Sequence, residues 1–597
     1  MSPAMLINVA VDLARPTPAR AFPGRRPICI MPWKSRSARM TISTPICQKR
    51  QPRRPRAGTP KASASTAGPP RRPVLRRPAS KAVIQKHKAI RNIAAGPRNF
   101  HDAMHDWQTV QRKALSQHVP GSMDHLDAMR QRGVVVTTHY SGTGAAEMAT
   151  SQICPGNVRC HGACDFNPTC QKVLLNHGPE CAADHVSTDL LARPPKHIVE
   201  KLRATLHEFQ QKAIALASTP GANQKETRCR LGLEWVDAAM GILKEWRPKR
   251  EDGVHCVRHK KLCPAFPSRA GAGASTPSPF HLEIDGINCQ PWSMAGKRLG
   301  WLDDRSIPCL ILVHTILSVE PDAACIECTP AFDFKTLQRL LSGKYRGDFA
   351  ITSPTDFGYP VARKRMYMWF DRTLGLNRVH AEVNSILDVS CRSLLLGPDV
   401  FLQAPRSEIQ RQYYHMCFKA SQKADGPPRP VLRRLGFKQP PTCNLQIRDI
   451  LPAGLLKRYE GHRARVAEKR TSPGSCFMCD INQTAKWGGA PQCASVSTIM
   501  RSSKLVAIFG SEDEDRMLLP SELPGIHGIH IPAHVLRELD PRAVRSLIGN
   551  SMHVAQIGCF IQYAFATRSY SVECAPPGAS TCDAKSGAST SGAEDII

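Results

Sequence analysis

Cys289 sits where a nucleophile would be useful. The stretch His281–Asp304 reads HLEIDGINCQPWSMAGKRLGWLDD. A short apolar run (Leu282, Ile284, Ile287) leads into a Cys-Gln-Pro-Trp-Ser turn, then a Gly/Lys/Arg loop that ends in Asp303 and Asp304. This predicts a strand that delivers a thiol onto an exposed basic loop. Cations and backbone amides there favour the thiolate, the form that attacks carbon. A buried structural cysteine is the ordinary alternative for one thiol among 23. Two further stretches carry charged side chains, for which a cap or a surface position is the ordinary reading. Glu327 ends the apolar run DAACIECTP (Asp322–Pro330), which predicts a strand and then a turn. Arg363 and Arg365, at i and i+2, would point to one face of a strand and offer guanidinium forks to a phosphate or a base carbonyl.

Elements that could position these groups follow from the patterning. Gly133–Thr138 (GVVVTT) is β-branched and predicts a buried strand. It runs into HYSGTGAAEMATSQI, where Gly142 and Gly144 allow a tight turn and close approach to a ligand, and Ala145–Ile153 predicts a helix. Such a unit turns helix N-terminal amides toward an anionic or carboxylate group. A second strand is predicted at Asn157–Cys164, ending in Asp165. That acid could accept hydrogen bonds from ribose hydroxyls, or cap a helix over Pro168–His177. Ile198, Leu202, Leu206 and Phe209 fall at helical spacing, Trp235–Trp246 predicts another helix, and Ile307–Val319 a buried one. Gly347–Ser353 and Arg365–Phe370 read as two strands of a hairpin.

The 597 residues suffice for two or three domains, and the formal net charge is +32. Residues 1–90 hold twenty Lys/Arg against a single acid, Asp12. The remainder is still basic, which suits a polyanionic partner such as nucleic acid. Residues 1–95 form a Pro/Arg-rich region unable to bury enough apolar surface to fold alone. Its clusters Lys49–Arg56 and Arg71–Pro78 suit nuclear import or phosphate contact, a solvated linker being the plain alternative. An acid-poor, Arg-rich start would also suit a plastid or mitochondrial transit segment. The odd, scattered cysteines fit free thiols in a reducing compartment. No apolar run approaches the ~20 residues of a membrane span.

Taken in order, the stretches resemble the C5-cytosine DNA methyltransferases. Cys289, Gln290, Ser293, Gly296 and Gly300 match the family's catalytic loop, with Asn288 in place of its proline. Tyr140, Ser141, Gly142 and Gly144 match the cofactor loop, Asp165 followed by Phe166 the acid after the second strand, and Asp189 in STDLL the acid that reaches adenine. Glu327 is kept, with Cys328 for the usual Asn. Gly358, Pro360, Arg363 and Arg365 match the arginine motif, with Val361 for Gln. Arg516 and Glu522 are spaced as a structural ion pair, and Gly549-Asn550-Ser551 precedes a long apolar helix. A Gly-Asn-Ser run could equally signal a helix N-cap.

The resemblance implies an α/β Rossmann-like S-adenosylmethionine-dependent methyltransferase fold with a smaller target-recognition domain. The expected layout is a catalytic domain over 130–370 with an insertion at 192–280, a recognition region over 371–510, and C-terminal motifs over 511–570 that complete the catalytic domain. A disordered tail is expected over 575–597. The implied activity is transfer of a methyl group from S-adenosyl-L-methionine to C5 of a cytosine flipped out of duplex DNA, through a covalent Cys289 adduct. Glu327 would act at N3, Arg365 with Arg363 would hold the base and loop, and Asn550 and Ser551 would close over the cofactor. A tRNA cytosine methyltransferase and an inactive DNA-binding relative are the alternatives. The nucleus is the expected site of action, with plastid or mitochondrion as the alternative.

The departures have expected costs. Asn288 for proline should loosen the catalytic loop. Cys328 and Val361 remove side-chain hydrogen bonds. In the insertion, Cys256, His259 and Cys263 could ligate zinc, with His255 or Cys229 as a fourth partner. The spacing is loose, and no metal is assigned. Cys476 and Cys479 form a lone Cys-x-x-Cys. Basic segments at Arg429–Arg434 and Lys457–Arg470 would suit DNA grooves.

Overall fold

The computed structural model describes residues 94–218, 223–268, 278–294, 296–422, 444–469, 476–485 and 495–570. Residues 1–93 of the basic region, the tail 575–597, most of the Ser268–Ser278 linker and the Arg429–Arg434 segment lie outside them.

Nine strands build one sheet. They are β1 (Val134–His139), β2 (Val158–Cys164), β3 (His185–Ser187), β4 (Gly253–Cys256), β5 (Lys261–Pro264), β6 (Phe280–Gly286), β7 (Ala323–Cys328), β8 (Tyr345–Thr352) and β9 (Arg365–Arg372). Their spatial order is β5-β4-β3-β2-β1-β6-β7-β9-β8. The run β3-β2-β1-β6-β7 is parallel. β9 lies antiparallel between β7 and β8. The mixed, mostly parallel α/β architecture is the expected one. All six residues of β1 are buried, as a strand covered on both faces requires.

The chain leaves β1 toward β2 on one side and returns to β6 on the other. The strand order therefore reverses at β1. In such sheets the crevice outside the carboxyl ends of the strands is where ligands bind. The glycine loop, Asp165, Cys289 and Glu327 all fall at this edge.

On one face pack α1 (Trp107–His118), α2 (Ser122–Arg132), α3 (Ala145–Ile153) and the last helix, which is long and apolar. That last helix, Val554–Ala566, has all 13 residues buried. Its Gly558 admits the indole of Trp107, because a Cβ there would stand 2.0 Å from the ring. On the other face lie α4 (Lys196–Ala217), α5 (Gln224–Leu243), α6 (Ile307–Val319) and α7 (Phe334–Leu341). The insertion thus does more than decorate. Its helices bury Leu202, Leu206, Leu231, Trp235 and Leu243 in the same cluster as Trp301 and Leu302, which follow the Cys289 loop.

The smaller domain has its own core, from Ile409 and Tyr413 to Met517 and Leu519. This moves both expected boundaries. Val383, Ile386 and Phe401, placed in the recognition region, pack with the catalytic core, and Leu376–Val379 pairs with Arg568–Tyr570. At the other end Arg516–Met517 is a strand of the smaller domain, paired with Leu505–Ile508. The basic segment Lys457–Arg470 falls, up to Lys469, in the helix Ala453–Lys469. Much of its charge is spent internally: Arg458 donates to the carbonyl of Asn482, Arg465 to that of Ala485, and Arg463 pairs with Asp515.

Among the described residues, no two cysteines are joined in a disulfide. No helix among the described residues is long and apolar enough to cross a membrane.

Candidate active site

Cys289 follows β6 by three residues and is half buried. A tight turn fixes it, since the amides of Trp292 and Ser293 both donate to its carbonyl, at 3.1 and 2.9 Å. Asn288 does not loosen this turn as expected. Its Oδ1 accepts from the Gln290 amide at 3.0 Å, so a side-chain clamp restrains the chain where a proline ring would have done so. Gly296 closes the loop against the Gln290 carbonyl, and a Cβ there would lie 1.9 Å from that oxygen. Arg305 donates to the Gln290 side chain. Trp292, Trp301 and Phe332 anchor the loop base, with ring centroids 4.6–5.8 Å apart.

The charges around the thiol are not the ones the loop sequence suggested. Burial raises the Cys289 thiol above its ordinary value, and Glu327 adds to that; Arg365 and Arg363 pull it back without prevailing. The net push is therefore toward the thiol, against the expectation from the loop's own charges. The opposing cations come from the β9 side of the site rather than from Lys297 and Arg298.

Glu327 and Arg365 meet directly. Gly286 of β6 stands in register with Glu327 of β7, and Tyr367 of β9 with the same Glu327. Arg365 is two residues before Tyr367 and shares its face. Its Nε lies 2.8 Å from Glu327 Oε1, and both side chains are almost wholly buried.

Arg363 parts from Arg365. β9 begins only at Arg365, so the two arginines do not alternate along one strand. Arg363 is buried and donates to the carbonyls of Gly549 and Ser551, at 3.2 and 2.7 Å. It ties the arginine motif to the Gly-Asn-Ser motif. Burial and the Arg365 charge lower it to about 10. Cys328 and Val361 are fully buried; Val361 packs in the core beside Val496.

The cofactor motif forms a cavity at the ends of β1 and β6, lined by Thr138, Tyr140, Ser141, Gly142, Gly286 and Asn550 among others. Tyr140 has φ 55°, a left-handed backbone that a side chain rarely adopts. Ser141 works as a splice: its Oγ accepts from the Cys164 amide at 2.9 Å and lies 2.6 Å from Thr138 Oγ1. Asp165 accepts from the amides of Gly142 and Asn167, at 2.9 and 2.8 Å. The cap of the next helix, Pro168–Leu175, is Asn167 and not Asp165. Asp189 caps the short turn Leu190–Ala192. Phe166 is 71% exposed beside Asp165, a free ring face at the strand ends. Asn550 is exposed; Ser551 is buried and accepts from Thr143 Oγ1 at 2.9 Å, which closes the Gly-Asn-Ser segment onto the glycine loop. The N-cap of the last helix is His553, not this segment.

These residues suit an adenosyl group with a cationic sulfur. The wall is a glycine loop, an aromatic ring stands free, two carboxylates sit at neighbouring strand ends, and the Tyr140 hydroxyl is buried without a hydrogen-bond partner.

Sequence reasoning missed three supports. His177 Nε2 lies 2.9 Å from the Thr143 carbonyl, and its ring occupies the space a Cβ on Gly144 would need. Glu147, on the first turn of α3, accepts from Thr138 Oγ1 at 2.6 Å. Under Tyr140, His139 Nδ1 lies 2.5 Å from Glu283 and 3.0 Å from Asp285, all buried. Polar residues at core positions of an otherwise apolar helix and strands were the available signal for Glu147 and for His139, Glu283 and Asp285; His177, in a loop, left none. As expected, Arg516 and Glu522 form a two-pronged ion pair at 3.0 and 2.5 Å.

No protein-family model matches the chain, and no curated protein matches it in sequence. Among solved structures it is similar to the Dnmt2 methyltransferase of S. pombe, at TM-score 0.35 and 14% identity, covering 72% of this chain and 98% of that one. It is also similar to the methyltransferase EhMeth of Entamoeba histolytica, at TM-score 0.33 and 14% identity with 72% and 98% covered. Spodoptera frugiperda DNMT2, in a triple-mutant form, gives TM-score 0.32 and 12% identity with 72% and 100% covered.

Proposed function

We propose that this chain is a cytosine-C5 methyltransferase acting on DNA. One observation carries the reading. A thiol, a carboxyl and a guanidinium, Cys289, Glu327 and Arg365, converge at adjacent strand ends, beside a cavity walled by the glycine loop.

The chemistry asks for that set. Neutral C5 of cytosine is a poor nucleophile, so a covalent route is needed. Cys289 Sγ adds to C6 of the ring, forming a C–S bond. The ring's electron pair shifts toward N3, where Glu327 holds the proton, and C5 becomes enamine-like. The residues around Gly142, Asp165 and Ser551 would hold S-adenosyl-L-methionine, whose sulfonium would give its methyl to C5, the S–CH3 bond breaking as the C5–CH3 bond forms and a neutral thioether departing. Loss of the C5 proton to a base then returns electrons to the ring and expels Cys289. Arg365 orients Glu327 through its Nε, and its own fork is held by an Nη1 bond to the Lys364 carbonyl at 2.8 Å. The ring must leave the stack to reach Cys289.

Burial pushes the Cys289 thiol up, so its proton must leave as the C–S bond forms. The basic N-terminal clusters suit a nuclear enzyme.

The test is trapping with duplex DNA that contains 5-fluorocytosine, in the presence of S-adenosyl-L-methionine, read by intact mass. Fluorine cannot leave as a proton does, so the adduct stalls on Cys289. An adduct lost in Cys289→Ala supports the reading. An adduct with fluorocytosine tRNA alone would move the substrate to RNA. Cofactor binding with no adduct on either would make the chain a binding protein.

A further inference from the structure

We propose that the hairpin β4–β5 and strand β3 hold a structural zinc ion through His185, Cys256, His259 and Cys263. One ligand atom from each of the four lies within 4.8 Å of all the others. His259 Nδ1 is 3.2 Å from His185 Nδ1, and 3.5 Å from both Cys256 Sγ and Cys263 Sγ.

Hydrogen bonding does not account for this arrangement. A ring nitrogen carries at most one hydrogen, or one lone pair. His259 Nδ1 faces three heteroatoms at once. A cation at the centre satisfies all of them together. The spacing fits as well. Tetrahedral zinc with Zn–N of about 2.05 Å and Zn–S of about 2.3 Å places two nitrogens ~3.35 Å apart and a nitrogen ~3.55 Å from a sulfur. The observed 3.2 and 3.5 Å match those edges.

The sequence builds the site in two pieces. Cys256 ends β4, Cys263 lies in β5, and His259 is in the turn between them. Lys260, at φ 56°, closes that turn by donating its amide to the Cys256 carbonyl at 2.7 Å. His185 comes from β3, which pairs with β4 only at Ser187–Cys256. The amide of Val186 donates to Cys256 Sγ at 3.4 Å, the kind of contact that steadies a metal-bound thiolate. The ring of His161 packs edge-on against His185 with centroids 5.0 Å apart. Both cysteines are buried.

The candidates named from spacing are not the fourth ligand. His255 alternates to the opposite face of β4 from Cys256 and is exposed. Cys229 is exposed on α5 and outside the cluster. Two thiolates and two imidazoles in a tetrahedron select zinc among common ions. Four protein ligands leave no open position, so the role is structural. The ion would staple the hairpin to the sheet edge, where a single paired position otherwise holds it.

The test is metal content of the purified full chain after exposure to zinc and dialysis, with cobalt(II) exchange as a spectroscopic probe. One zinc per chain is expected, with thiolate-to-cobalt charge transfer and tetrahedral d–d bands. His185→Ala and Cys263→Ser should each lose the ion, while His255→Ala and Cys229→Ser keep it. Circular dichroism of the first two, matched to wild type, separates loss of ligand from loss of fold. Wild-type chain that holds no zinc, or His185→Ala and Cys263→Ser variants that keep the full zinc content, overturns the assignment. A cobalt spectrum without charge transfer also overturns it.

Discussion

Arg365 Nε stands 2.8 Å from Glu327 Oε1, across the antiparallel pairing of β9 with β7. Of the groups that set the Cys289 thiol, Arg365 is the largest that lowers it. One guanidinium therefore serves both partners of the proposed addition. It steadies the carboxyl and moderates the thiol.

Removing it should make Cys289 harder to ionise. In Arg365→Met the thiol loses its main counterweight to burial, and the thiolate fraction at a given pH falls. Alkylation of Cys289 by iodoacetamide, followed by peptide mass spectrometry, should slow several-fold at pH 8, and its rise with pH should move upward. Exposed Cys229, on α5, serves as the internal reference. An unchanged rate at Cys289 would mean that the arginine does not act on the thiol.

Gly296 sets the loop by steric necessity. Its Cβ position is 1.9 Å from the Gln290 oxygen and 2.9 Å from the Gln290 carbonyl carbon. Backbone cannot swing aside as a side-chain tip can, so Gly296→Ala must displace the segment that carries Cys289. A shift of about 1 Å in a reacting group costs roughly 100-fold in rate. Fluorocytosine trapping by Gly296→Ala should fall by about that factor while the fold, read by circular dichroism, is kept. Gly241→Ala, where nothing lies within 4 Å, is the control.

What the sequence revealed depended on how local each signal was. Cys289 was legible because it follows a short apolar run that predicts a strand, and a residue just past a strand end falls at the sheet edge; Glu327, inside the strand Ala323–Cys328, stood out only through the motif resemblance. Arg363 was misread because period-two alternation assumes an unbroken strand, and the strand starts two residues later. The thiol was misread because the loop's own lysine and arginine were counted, whereas the cations that reach it lie on a distant segment and burial outweighs them. Asn288 was read as a lost proline, yet a side-chain clamp serves the same end. His185 was invisible: it joins Cys256 only through strand pairing, which spacing along the chain does not encode. The domain boundaries drifted because Val383 and Met517 pack across the line drawn from motif order.

The ion pair of Arg516 and Glu522 joins the two domains' segments. Glu522 accepts both guanidinium bonds and also the amides of Ala404 and Leu519, at 2.8 and 2.9 Å. Removing one partner of a buried pair strands the other charge and costs about 3–5 kcal/mol. Glu522→Ala should lower the urea midpoint accordingly. The double variant Arg516→Met, Glu522→Leu should recover much of the loss, because no charge is then left buried. If the double variant is no better than the single one, the amide contacts of Glu522 carry the stability instead.

Glu147 makes stability fall as pH rises. Its carboxyl is buried on the first turn of α3. Oε1 accepts from Thr138 and Oε2 has no hydrogen-bond partner. Burial lifts it from the ordinary 4.5 to about 7, with the Thr138 bond opposing. Between those values the folded chain keeps a proton that the unfolded chain has lost. The contribution is thus fully present below about pH 4.5 and is lost as pH rises through about 7. A difference of that size is worth about 3 kcal/mol. Glu147→Gln keeps the acceptor for Thr138 and removes the titration. The gap in unfolding free energy between variant and wild type should therefore widen in favour of the glutamine from pH 5.5 to pH 8. Urea titrations at the two pH values measure it, and parallel pH profiles would show that Glu147 is ionised in the folded chain throughout.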